Sequence, residues 1–155
     1  MSRLRIAFFV PVLAVVAAVA DARADLQAWD QARVGALAQQ LVEATDGLYD
    51  TFYKQPPPSR GSAQARAYQR LKQKVRRIRT EARALAGSLA KGEGYEETLP
   101  SYDDLMQTVR SARDDARQVF ATSDVTDKAA AARGVLNQLG PYYDPDFRTL
   151  GPATR

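Results

Sequence analysis

Apolar side chains recur every three or four residues through four stretches of the chain, and each stretch ends at a proline- or glycine-bearing break. In residues 25–55 the stripe is Val34, Leu37, Leu41, Ala44 and Leu48, extended by Trp29 and Phe52. That spacing places every member on one face of a helix. Pro56-Pro57-Pro58 stops it, because three successive residues lack an amide hydrogen and have fixed φ. Ser59, Arg60 and Gly61 complete a short hinge.

The second stretch, 62–91, has the most regular seam: Ala67, Leu71, Val75, Ile78, Ala82, Leu85 and Leu89, closed by Gly92 and Gly94. A third helix is predicted over 101–120, with Ser101 as its N-cap and Asp104 as the reciprocal partner. Its stripe is Tyr102, Leu105, Val109, Ala112, Ala116 and Val119. A fourth is predicted over 124–139, capped by Ser123 or Asp124 and carrying Val125, Ala129, Ala132, Leu136 and Leu139 before Gly140-Pro141. Residues 141–155 read as an irregular, turn-rich tail. No stretch alternates with the period of a strand.

Four amphipathic segments with short connections predict an all-α fold, an antiparallel up-down-up-down four-helix bundle over 25–140. The many seam alanines favour close helix approach. Helix four, about 24 Å long against about 45 Å for the first two, leaves one end of the bundle without a fourth wall unless the tail folds back. Trp29, Tyr95, Tyr142 and Tyr143, with Tyr102 and Phe147 nearby, fall toward that end. Their expected role is a plug of packed rings; the alternative is an aromatic groove for a partner or ligand.

Residues 1–24 have the layout of an export leader. Arg3 and Arg5 precede an apolar run from Ile6 to Ala20, and Ala22 and Ala24 stand at the −3 and −1 positions of a cleavage site. Cleavage after Ala20 is the rival to cleavage after Ala24. The run is shorter than a membrane-spanning helix requires, so no integral span is expected once the leader is removed. The protein is therefore expected in the periplasm or the secreted medium, with another envelope protein as the expected partner.

The inventory narrows the chemistry. There is no cysteine and no histidine among the 155 residues. Disulfides, thiolate nucleophiles, His-based acid–base pairs and the usual zinc, haem and di-iron ligand sets are all missing. The layout resembles small exported four-helix cytochromes, but only in architecture: Met106 is the sole methionine after the leader and no histidine can pair with it. The carboxylate pairs Glu96-Glu97, Asp103-Asp104 and Asp114-Asp115 make no claw, since neighbours on a helix point about 100° apart. Asp114 and Asp115 are expected to pair with Arg110, Arg113 and Arg117 on their own helix. No catalytic residue, metal site or cofactor is expected.

Charge is unevenly distributed. Residues 61–91 hold nine basic residues and one acidic, against a net −3 over 25–55 and −4 over 92–120. Lys72, Arg76, Arg79 and Arg83 line one flank of the second helix. One expectation is ion pairing with the acidic helices on either side. The other is a polyanion surface for lipopolysaccharide, anionic lipid headgroups or nucleic acid. The leading functional expectation is a non-catalytic exported bundle acting through protein–protein contact, with polyanion binding as the alternative.

Overall fold

The computed structural model describes residues 26–59 and 61–151. The predicted leader, and its alternative cleavage points, lie outside them. Four helices form and pack together: α1 (Gln31–Lys54), α2 (Ala63–Ala90), α3 (Tyr95–Ala116) and α4 (Ser123–Leu139), followed by a 3-10 turn, Gly140–Tyr142. Among the described residues there is no strand, and no helix is long and apolar enough to cross a membrane.

All seven seam residues predicted for α2 are buried. Ser62 caps this helix by accepting from the Ala65 amide at 2.9 Å. At its other end Gly92, with φ +86°, takes the left-handed conformation that only glycine adopts without strain. Its amide reaches back to the Leu89 carbonyl at 3.0 Å.

The helix boundaries differ from the periodicity in four places. α1 begins at Gln31 rather than near residue 25, because Asp30 is in an extended conformation and accepts from the Arg33 amide at 2.9 Å. The residues before it are engaged elsewhere: the Gln27 amide donates to the Pro141 carbonyl at 3.0 Å. α3 begins at Tyr95 rather than Ser101 and carries Pro100 inside it. The Glu97 carboxylate accepts from the Gly94 amide at 3.0 Å, and the Thr98 hydroxyl donates to the Gly94 carbonyl at 2.7 Å. These bonds, with the packing of Tyr95, offset the amide that proline lacks. α3 also stops at Ala116 rather than 120, and α4 is led by Thr122, one residue ahead of the expected caps.

Helix–helix packing follows the spatial order α3–α2–α1–α4. Extensive contact joins α1 to α2, α2 to α3 and α1 to α4, while close backbone approach between α3 and α4 is slight at most. Side chains register the packed pairs. Gln31, at the start of α1, donates to the carbonyls of Leu89 and Glu93 at 3.2 and 3.0 Å. Gln55, just past α1, donates to the Phe120 carbonyl at 2.9 Å and accepts from the Thr122 amide at 3.3 Å. The tail folds back on α4, where Asn137 exchanges two hydrogen bonds with the Leu150 backbone at 2.7 and 3.3 Å.

Candidate functional site

The four aromatic residues proposed as groove or plug come together at one end of the molecule, and α4 does not leave that end open. Trp29 packs edge-on against Tyr95 and Tyr143, with centroids 5.8 and 5.4 Å apart. Tyr143 stacks on Tyr102 at 4.2 Å. Because the Thr98 hydroxyl already donates to Gly94, the Tyr143 hydroxyl donates to Thr98, at 2.9 Å. The Tyr142 hydroxyl accepts from the Gln27 side chain at 2.8 Å. Tyr142 and Tyr143 are buried; Trp29 and Tyr95 are half-buried.

The basic flank of α2 is drawn toward its neighbours. Arg83 grips the Asp46 carboxylate with both oxygens at 2.8 Å, and Arg79 reaches the same carboxylate at 3.2 Å. Arg79 also lies 4.1 Å over the Tyr49 ring, and Lys72 lies 4.3 Å over the Tyr53 ring. Among the described residues Arg76 alone of the four makes neither an ion pair nor a ring contact. On the opposite flank Asp115 accepts from Arg70 at 2.9 Å and Lys74 at 2.6 Å. The expected pairing of Asp115 within α3 is therefore replaced by a bridge to α2. Asp114 stays local, 3.9 Å from Arg117. Burial pushes the Asp115 carboxyl up, but hydrogen bonds and charge from Lys74 and Arg70 outweigh it and hold the group below the usual carboxylate range.

None of the predicted site residues lines a cavity of about 460 Å³ bounded by all four helices. It occupies the half of the molecule away from the aromatic cluster, between α3 and α4. Thr45, Leu48 and Phe52 of α1 and Leu71, Val75 and Ile78 of α2 form its floor. Val109, Ala112 and Ala116 form the α3 wall; Val125, Ala129, Ala132 and Leu136 form the α4 wall. Val119, Phe120 and Ala121 of the connection and Leu150 of the tail complete it. Alanines on both walls explain the hollow: with helices held apart, a methyl group does not reach across.

Four lining residues are polar: Thr45, Thr126, Arg113 and Arg133. Both threonine hydroxyls are committed to their own helical backbone, Thr45 to Leu41 at 2.8 Å and Thr126 to Thr122 at 3.0 Å. The arginines are different. Arg113 stands on α3 and Arg133 on α4, both half-buried. Among the described residues neither enters a salt bridge. The Arg113 Nε is shielded from solvent without a hydrogen-bond partner.

No protein-family model, curated protein or solved structure matches the chain. The sequence analysis missed this cavity: the alanines of the α3 and α4 seams, which line it, read by periodicity alone as close packing.

Proposed function

We propose that this chain is an exported, non-catalytic four-helix bundle that binds a small apolar ligand in the cleft between α3 and α4. The observation that carries the reading is the cavity itself. Its volume falls within the roughly 300–1,000 Å³ typical of small-molecule sites, and its walls are predominantly apolar. Gln31 beside Leu89, Asp115 beside Arg70, and Gln55 beside Thr122 support an up-down-up-down course for the helices. The Arg-Arg n-region and the alanines at positions 22 and 24 support export.

The non-catalytic part rests on the lining. It contains no carboxylate, lysine or tyrosine to move a proton, and its hydroxyls are committed to backbone carbonyls. Contact with a partner protein has less support. Phe120 is the one large apolar side chain exposed among the described residues, 63% so, and it lines the same cleft. Polyanion binding by α2 also has less support, since Arg79, Arg83 and Lys72 already have partners.

Binding is tested with the neutral dye N-phenyl-1-naphthylamine, whose emission rises in apolar surroundings. Wild type is expected to bind it saturably. Ala129→Leu, which fills the α4 wall, is expected to weaken binding about tenfold or more while raising stability by about 0.5–1 kcal/mol. No saturable signal, or affinity unchanged by Ala129→Leu, contradicts the reading.

A further inference from the structure

We infer that the ligand of the α3–α4 cleft is a single-chain fatty acid, its hydrocarbon tail in the cavity and its carboxylate held by Arg113 and Arg133. The inference rests on the cleft being a ligand site and adds the ligand's chemical class. The apolar walls alone would accept any hydrocarbon. What selects an anion is the pair of arginines, the only lining side chains whose polar groups have neither an ion pair nor a backbone partner among the described residues.

The shielded Nε of Arg113 carries an unmade hydrogen bond beside the apolar lining. A carboxylate removes that cost. Its two oxygens match the planar fork of an arginine and suffice to engage one on each wall. The size favours one chain over two, because about 460 Å³ lies in the lower half of the range for ligand sites.

The experiment displaces the bound dye from the full mature protein with hexadecanoate, hexadecan-1-ol, dodecyl phosphate or phosphatidylglycerol vesicles. Hexadecanoate is expected to bind about tenfold or more tightly than the alcohol, the gain of charge-assisted hydrogen bonds. Arg113→Gln and Arg133→Gln are each expected to erase most of that difference. Arg113→Lys, which keeps the charge and loses the fork, is expected to retain part of it. Equal affinity for acid and alcohol, or an acid preference that survives both glutamine variants, overturns the inference, yet leaves the ligand site standing if the dye still binds. Tighter displacement by dodecyl phosphate or by vesicles overturns the carboxylate assignment. Concentration-dependent dimerisation that Ala129→Leu abolishes also overturns it, since a second copy then occupies the cleft. Loss of dye binding to wild type is a failure of the site itself and is read before any acid is added.

Discussion

The Tyr102 hydroxyl is buried among aromatic rings with no hydrogen-bond partner, while the Tyr143 ring stacked on it has its hydroxyl bonded to Thr98. Burial pushes both phenols up, with Asp144 reinforcing the effect at Tyr102, so both stay neutral across the working pH range. The two residues therefore predict opposite responses to losing one oxygen. Tyr102→Phe removes an unsatisfied group and is expected to leave stability unchanged or raise it by up to about 1 kcal/mol. Tyr143→Phe breaks a buried bond, takes a donor from the Thr98 oxygen, and is expected to cost about 1 kcal/mol. Urea midpoints of the two variants check this. That these rings converge was legible from Trp29, Tyr95, Tyr142 and Tyr143 lying near element ends. Which hydroxyl finds a partner was not, because that depends on Thr98 sitting in a turn of α3 ahead of Pro100, where the proline suggested no helix.

At the scale of elements, α3 is held to α2 by Asp115, whose side chain is only 8% exposed while Arg70 and Lys74 remain 50% and 27% exposed. Its folded pKa is depressed, so its contribution to stability is fully present above the unfolded carboxyl value near 4 and is lost as pH falls through the lower folded value. Asp115→Asn is expected to cost about 2–3 kcal/mol at neutral pH, below the full figure for a buried pair because the partners are hydrated. It is also expected to flatten the acid limb of stability below pH 4, measured by denaturation from pH 7 to 2. An acid limb as steep as that of wild type would contradict this assignment. The charge asymmetry of α2 was plain in the sequence, as was the availability of acids on both sides. The pairing of Asp115 was not: Ser111, Ala112, Gln118 and Val119 stand three and four residues from it, so α3 offers it no well-spaced arginine, and only the packing of α3 on α2 shows which bases it meets.

For the whole molecule, three helix pairs make extensive contact and α3 with α4 does not. The all-α class and the seven predicted seam residues of α2 could be read from periodicity, because a regular three-and-four spacing sets one face of a helix toward its neighbours. The cleft could not. Ala112, Ala116, Ala129 and Ala132 read as contacts that bring helices together, and they do so only if the helices meet; here they line a hollow. Its two arginines were hidden for a related reason: Arg113 was assigned to Asp114 and Asp115, and Arg133 stood in a segment of balanced charge. The direct measurement is methyl NOE spectroscopy of the protein, with alanine, valine and leucine methyls labelled, saturated with hexadecanoate. Cross-peaks from the acyl chain to Ala112 and Val109 on α3 and to Ala129, Ala132 and Leu136 on α4 are the predicted result. Acyl-chain contacts confined to the surface of α2, or strong NOEs between Ala112 and Ala132 in the ligand-free protein, would contradict an open, ligand-accepting cleft.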